Sequence, residues 1–531
     1  MIRINNLKLK IDDTNISRAV CKQLKISSER LKSVEIRRKS LDARKKDSIH
    51  YLYSVDITAE GEEKILRDNR DRNISRSDYI EYTISDVVPQ LDHRPVIVGF
   101  GPAGMFSALA LAESGLKPIV IERGRDADSR TKDVETFWSG GAFNPESNVQ
   151  FGEGGAGTFS DGKLTTRTKD KRVTYVTKKL LEAGAPEEIA YEAKPHIGTD
   201  KLRDVVKNIR KKIIALGGEV RFESKLIGIE MENGEVIAVI VNDKEKIYTK
   251  SLILAIGHSA RDTLEMLFES GIKMEQKPFA AGVRIEHSQR SISLAQYGEI
   301  AEKLPPADYM LTYTTKAGRG VYTFCMCPGG YVVAAASEKG RLAVNGMSEY
   351  KRDGKNANSA LLVQINPEDF GSDSPLAGME LQRRIEEKAF EAGGENYFAP
   401  AQRYEDFVKG RITSSEGSII HSYRPGIKYA DLNNILPEFI TEAMKEAIPQ
   451  MGRKLKGFAH PDALMTGVET RSSSPVRILR ETDGCSVSLR GLYPTGEGAG
   501  YAGGIVSAAI DGVRQAENLI ENNLRGNNND K

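Results

Sequence analysis

The 531-residue sequence predicts an α/β fold: a doubly wound parallel sheet with a large α+β insertion, preceded by a small α+β module. Three observations predict it. Short apolar runs of the buried parallel-strand type recur at Pro95–Phe100, Lys117–Gly124 and Ser251–Gly257. A G-x-G-x-x-G motif joins the first run to a helical stretch. A further strand entering a Gly-rich turn, GLYPTGEGAG (Gly491–Gly500), appears only near the C-terminal end, as if the sheet were completed there after a long interruption.

The first 90 residues differ in texture. Alternation in MIRINNLKLKI and in His50–Thr58 predicts two strands, with a helix from Asn15 to Gln23. Residues 1–90 carry 19 Lys/Arg against 15 Asp/Glu, and the positive charge concentrates in Arg30–Lys46. Such a run reads as a solvated helix face, with contact to RNA or an acidic partner as the alternative. It has no zinc-finger spacing or aromatic RNA-binding motif beside it, which disfavours nucleic acid.

From Arg94 a βαβ unit follows. Pro95–Phe100 is the first strand, Pro102–Gly115 the helix with Pro in its first turn, and Lys117–Gly124 the second strand. Each motif glycine answers a different demand. Gly99 permits the tight turn out of the strand, Gly101 lets the backbone approach a pyrophosphate, and Gly104 lets the helix pack on the sheet. The helix N-terminus offers free N–H groups to phosphate, and Glu122, ending the second strand, is placed to accept from ribose hydroxyls. That carboxylate argues against a 2′-phosphate at this site. Downstream, Asp200–Leu216 reads as an amphipathic helix and Gly218–Ser224 as a strand. Ile227–Asp243 reads as a hairpin turning at Glu232–Glu235, and Tyr501–Glu521 as a C-terminal helix before a disordered tail, GNNNDK.

Several stretches carry a resemblance: FGEGGAGTFSDGKLTTR, SLILAIGHS, KPFAAGVRIEH, YTFCMCPGG, TGVETRSSSPVRI and YPTGEGAGYAGGI. Together they resemble a group of bacterial FAD-dependent dehydrogenases of the glutathione-reductase-type fold that carry an extra N-terminal domain. The match covers residues 90–531 and, more loosely, the first 90. It implies an N-terminal domain at 1–90, an FAD-binding domain in two parts (91–272 and 462–531) and an inserted substrate domain at 273–461. It implies FAD as cofactor, held by Gly99, Gly101, Pro102, Ala103 and Gly104, then by Glu122 and Arg123. Gly154, Gly155 and Gly157 follow, with Gly257 at a strand end. Gly496 and Glu497 stand where the family has T-G-D, with Glu one methylene longer than the usual Asp. The last group is Gly503, Gly504 and Ile505, at a helix start that the resemblance aims, with Gly500, at the flavin pyrimidine edge. The function implied is hydride transfer between a small-molecule substrate and flavin N5. Two alternatives stay open: a flavin-dependent RNA-modifying enzyme using the basic N-terminal module, and a non-catalytic flavin-binding redox sensor.

No catalytic acid or base stands out. Gly157–Lys163 fits the first seven positions of a P-loop, but Leu164 replaces the required Ser or Thr, so Lys163 reads instead as a flavin or substrate contact. Cys325 and Cys327 form C-x-C and read either as small buried strand residues or as a flavin-proximal thiol. Cys21 and Cys485 read as structural. His258 follows the strand end at Gly257 and is an acid/base candidate, as is His287; for both, a hydrogen-bonded structural role is the alternative. Arg471 and Arg477 either clamp an anionic substrate or form structural ion pairs. None of the seven His shows metal-ligand spacing. No second dinucleotide motif is present, so NAD(P)H is expected at most as a transient visitor.

Composition bounds the rest. Lys+Arg is 76 and Asp+Glu 74, a net charge of +2, which excludes a globally basic nucleic-acid coat. No run of 18 apolar residues exists and MIRINNLKLKIDD lacks an apolar signal core, so no membrane partner and a cytoplasmic setting with four reduced thiols are expected.

Overall fold

In a computed structural model of the chain, residues 1–77, 82–84, 87–166 and 168–529 are described. A four-stranded antiparallel sheet comes first, in the order Leu31–Asp42, His50–Ala59, Ile2–Lys10, Ile74–Arg76. The helix Ile16–Leu24 packs on it, capped by the Asn15 side chain. A register break between Ile4 and Leu7, with Asn6 at φ 54°, lets Ile2, Ile4, Leu7 and Leu9 all point into one core although period-2 alternation alone would divide them.

The basic run is not a helix face. It forms the long strand Leu31–Asp42, and much of its charge is answered within the protein. Arg37 pairs with Asp56, Lys32 with Glu60, Lys39 with Glu192 in the following domain, and Arg44 with Asp42.

The second unit holds a five-stranded parallel sheet in the order Leu492–Pro494, Leu252–Leu254, Val96–Val98, Ile119–Ile121, Glu219–Arg221. The chain moves one way from Val96–Val98 and then returns to its other side, which creates a crevice at the strands' carboxyl ends. The helix Pro102–Glu113 is buried from Ala103 to Ala112 because it lies between this sheet and the long helix Ile505–Asn529. Their contact is close: a Cβ on Gly512 would stand 2.1 Å from the Ala103 carbonyl oxygen, and the Ser107 hydroxyl donates to the Gly512 carbonyl at 2.9 Å. The last helix begins at Ile505, not at the expected Tyr501, since Gly504 at φ 90° is not helical. It also runs on to Asn529 through most of the tail expected to be disordered, whose last two residues lie outside the described ones. A hairpin Leu226–Glu232/Glu235–Val241 turns at Asn233 and Gly234, both at positive φ as a tight two-residue turn requires.

The third unit is a seven-stranded sheet in the order Thr312–Thr314, Gly320–Cys327, Asn356–Ile365, Phe279–Ser288, Leu464–Glu469, Ala399–Arg403, Ile427–Tyr429. Helices Ala377–Gly393 and Glu438–Lys454 contribute to its core. Leu464–Glu469 belongs to this sheet, so the chain leaves the insertion after Glu469 and not at 461. The strands Met274–Gln276 and Val476–Ile478 pair antiparallel where the chain enters and leaves it. Among the described residues, no helix is long and apolar enough to cross a membrane.

Candidate functional site

Three sequence-distant segments meet at the crevice. The Gly99–Gly104 turn is shaped first by the protein's own packing. Gly99 has φ 95°, and a Cβ there would lie 2.4 Å from the Ala255 carbonyl oxygen. A Cβ on Gly104 would lie 2.0 Å from the Gly99 carbonyl oxygen. Gly101 is different. Its φ of −75° suits any residue, and a Cβ would meet only Gly155 Cα, at an ordinary 3.7 Å. Neither backbone nor packing demands glycine there; the space it keeps open faces the cleft.

The second segment is Gly152–Phe159. Gly154 (φ 81°) donates its N–H to the Phe100 carbonyl at 2.9 Å, and a Cβ on Gly155 (φ 60°) would touch Gly101 Cα at 2.9 Å. A Cβ on Gly157 would stand 3.2 Å from Ile505 of the third segment. There, nothing lies within 4 Å of where a Cβ would sit on Gly503 or Gly504, nor on Gly257.

Glu122 is buried behind these turns. One carboxylate oxygen accepts from the Phe100 N–H at 2.8 Å, the other from Gly124 and Gly152 at 2.8 and 2.9 Å. The sequence places it at ribose hydroxyls; the structure makes it first the fastener of three loops, although it still borders the cleft. Arg123 likewise holds Asp262 (2.8 Å) and Glu146 (2.6 Å), its guanidinium 4.1 Å above the Phe151 ring.

The cleft encloses about 1390 Å3, beyond the roughly 300–1,000 Å3 of an ordinary small-molecule pocket. Its wall includes Gly99, Gly101, Pro102, Ala103, Glu122, Arg123, Gly155, Gly157, Gly257, Glu497, Gly503, Gly504 and Ile505. Gly104, Gly154 and Gly496 are not on it. Gly104 serves helix–strand contact, and a Cβ on Gly154 would meet the Thr158 hydroxyl at 2.1 Å. Gly496 abuts Ala103 and donates its N–H to Asp511.

Of the acid/base candidates, His258 borders the cleft, its Nδ1 3.3 Å from Glu497 and its buried Nε2 without a hydrogen-bond partner. His287 lies away from it, its Nε2 on the Phe458 carbonyl at 2.7 Å and its ring stacked on Phe458. Trp138 packs on Phe159 and donates to the Ala334 carbonyl.

The opposite wall comes from the seven-stranded sheet and carries charge in pairs. Arg284 is fully buried, bonded to Glu469 (3.1 Å) and to the Cys325 carbonyl (2.9 Å). Burial pushes the Glu469 carboxyl up to about 7 against the opposing pull of Arg284. Asp161 grips Arg352, and Lys163 donates to the Met326 carbonyl. Cys325 borders the cleft and Cys327 lies behind it. Arg471 is consumed by Glu386, which it shares with Arg261, and so is a structural ion pair; Arg477 pairs with Glu275 at 3.1 Å. Sequence reasoning passed over Arg284 and Glu469, since nothing local marks two charges brought together from strands 185 residues apart. The P-loop-like stretch starts in the short 3₁₀ turn Gly155–Phe159, with the helix Ala127–Trp138 as the element before it, so the strand of a P-loop is missing. Among the described residues, no group of three or more His, Cys, Asp and Glu side chains is placed to hold a metal.

Backbone amides at two helix starts, a glycine kept bare at the crevice and a long cavity fit an extended dinucleotide. Comparison with known proteins bears on which. A family model described as an FAD binding domain matches residues 94–155, and one described as "FAD-dependent protein, C-terminal domain-like" matches 278–472. Residues 1–58 match a domain of unknown function. A Clostridium beijerinckii protein described as "Uncharacterized protein" is 52% identical over 526 residues, 98% of each chain. Solved structures with partial likeness include a Bacillus cereus glycine oxidase (12% identity, 81% of this chain and 98% of that one, TM-score 0.35). Another is a Thermoplasma acidophilum geranylgeranyl bacteriochlorophyll reductase-like protein (14%, 82% and 79%, TM-score 0.36). The chain therefore belongs to one family with the Clostridium protein, and its matched segments are those of an FAD binding domain and of an FAD-dependent protein's C-terminal domain.

Proposed function

We propose that the protein moves a hydride between a small-molecule substrate and N5 of FAD, with the seven-stranded sheet forming the substrate wall over the ring. The observation that carries this reading is Gly101, a glycine for which the protein itself has no need. When bound, FAD supplies the two-electron chemistry, so no side-chain nucleophile is required. The chain's residues bind and orient. The N-terminus of Pro102–Glu113 presents its free amides and positive dipole end to the pyrophosphate, with Gly101 leaving room for close approach. The Glu122 oxygen that takes one backbone N–H keeps a lone pair for a ribose hydroxyl. The start of Ile505–Asn529 would hold the pyrimidine edge of a bound flavin, where its amides and positive dipole end would stabilise electron density gained on reduction. His258, its Nδ1 3.3 Å from a Glu497 oxygen and its Nε2 without a hydrogen-bond partner, is the side chain of this wall best placed to act as acid or base.

The electron donor is either the substrate or a nicotinamide that visits transiently. Anaerobic mixing of the yellow protein with NADH, NADPH and a panel of metabolites, followed by flavin absorbance, tests this. Bleaching by one of them, reversed by an acceptor, is expected. A protein that purifies colourless and refuses added FAD overturns the reading.

A further inference from the structure

Resting on that reading, we propose that Cys325 and Cys327 form a dithiol–disulfide couple that exchanges two electrons with the flavin, Cys325 as the thiol open to the cleft and Cys327 as the buried one. The geometry begins with a defect in the sheet. The strand Gly320–Cys327 pairs regularly with Asn356–Ile365 as far as Phe324, then breaks register before Cys327. Cys325 sits in the break at φ 42°, a left-handed conformation that costs a non-glycine residue about 1 kcal/mol or more. In an unbroken strand two such residues share a face with Cα atoms roughly 6.6 Å apart, near the long end of what a disulfide spans. Here the chain is bent at the first cysteine, and the Cys327 thiol folds back to donate to the Cys325 carbonyl at 3.2 Å. Both are free in this structure.

The surroundings make the pair unequal. Cys325 is partly exposed and borders the cleft; Cys327 is fully buried. Arg284 Nη2 lies 3.6 Å from the Cys327 sulfur and 2.9 Å from the Cys325 carbonyl, and Lys163 binds the carbonyl of the intervening Met326. The adjacent Cys327 side chain, with the positive charges of Lys163 and Arg284 behind it, holds the Cys325 thiol well below its ordinary range, despite burial. The Cys325 side chain beside it, together with burial, pushes the Cys327 thiol up. An accessible thiolate beside a protonated buried thiol is the division of labour of an attacking and a resolving cysteine. Asp161 and Glu469 are the acids facing this cluster, and each is paired with an arginine of its own, Arg352 and Arg284.

The step balances. Forming the Sγ–Sγ bond, the dithiol gives up two electrons and two protons, which convert oxidised flavin to dihydroflavin; the reverse step cleaves the disulfide. The couple thus stores a second electron pair beside the cofactor.

Anaerobic dithionite titration of the oxidised holoenzyme, with maleimide labelling and mass spectrometry before and after, tests the proposal. Wild type is expected to take up four electrons per flavin and C327S two, because each couple carries two. Oxidised wild type should label two fewer thiols than reduced wild type, a comparison that needs no variant to fold. A yellow wild type that takes two electrons, with all four thiols labelled in both states, overturns this proposal alone. A protein that cannot be loaded with flavin overturns the reading beneath it.

Discussion

Replacing Gly101 by Val separates what the fold needs from what the cofactor needs. At φ −75° and ψ −176° valine meets no backbone penalty, and its Cβ reaches only Gly155 Cα at 3.7 Å. Giving up glycine ahead of a helix for a poor capping residue costs about 0.5–1 kcal/mol, while the less flexible unfolded chain returns a similar amount. Stability should therefore move by less than about 1 kcal/mol. The two γ-methyls occupy the space kept for the diphosphate. If they remove one or two charge-assisted hydrogen bonds of about 1.5–3 kcal/mol each, FAD affinity falls roughly 10- to 10,000-fold. The assay is the flavin-to-protein absorbance ratio after purification, FAD binding followed by fluorescence quenching, and melting of the flavin-free proteins. Gly104→Val is the control: its Cβ would stand 2.0 Å from a backbone oxygen, so it should lose both fold and flavin. A Gly101→Val protein that binds FAD as wild type does would refute the reasoning, and so would one that melts as early as Gly104→Val.

Three more outcomes can be checked. Glu122→Gln leaves one acceptor atom for three backbone N–H donors, so it should cost about 2–4 kcal/mol in urea unfolding and weaken flavin retention. Glu386→Gln strips the charge that answers two buried guanidiniums, Arg261 and Arg471, and should destabilise by about 3–5 kcal/mol at neutral pH. Burial opposes the charge on Glu386, but the two arginines outweigh it and hold the carboxyl well below its ordinary range, so this stabilisation is present above the unfolded value and fades as pH falls. Glu469 runs the other way. Its folded value is raised to about 7, so its contribution is full below the unfolded value and disappears as pH rises through about 7. Between pH 5 and 8, wild type should lose up to about 3 kcal/mol relative to Glu469→Gln in paired urea titrations, and equal pH dependence in the two proteins would refute the assignment.

Local signals were legible in proportion to how local their cause is. The βαβ unit could be read because each glycine acts within a few residues, and the Asn233–Gly234 hairpin because its turn needs two left-handed residues in a row. The Arg30–Lys46 run could not. Its strand is an outer one whose charged residues find Asp56, Glu60 and Glu192 on other elements, and an alternation of half-buried charges resembles a solvated face when those partners are unseen. Glu122 shows the same limit in one residue: an acid at a strand end is visible in sequence, but the amides of Phe100, Gly124 and Gly152 converging on it are not. The strand Leu464–Glu469 carries no mark of the sheet it joins, so the domain boundary moved.

The two ends of the cleft are built from different material, and this has a consequence for mutagenesis. The end formed by the Gly99–Gly104 turn, Gly152–Gly157 and Gly503–Ile505 offers mostly backbone, and several of its glycines, Gly99, Gly104 and Gly155 among them, also hold the fold, which leaves Gly101 as the position where binding can be changed alone. The opposite wall offers Cys325 and Glu469 from the seven-stranded sheet, with Lys163 and Arg352 from the loops beside it, whose side chains can be changed with the backbone left in place. Cys325→Ser and Glu469→Gln should therefore remain yellow with FAD affinity within about threefold of wild type, a shift under roughly 1 kcal/mol, while their electron uptake or pH response changes. If either variant shed its flavin as readily as Gly101→Val, the cofactor would depend on the charged wall too, and the separation of binding from reaction along this cleft would be lost.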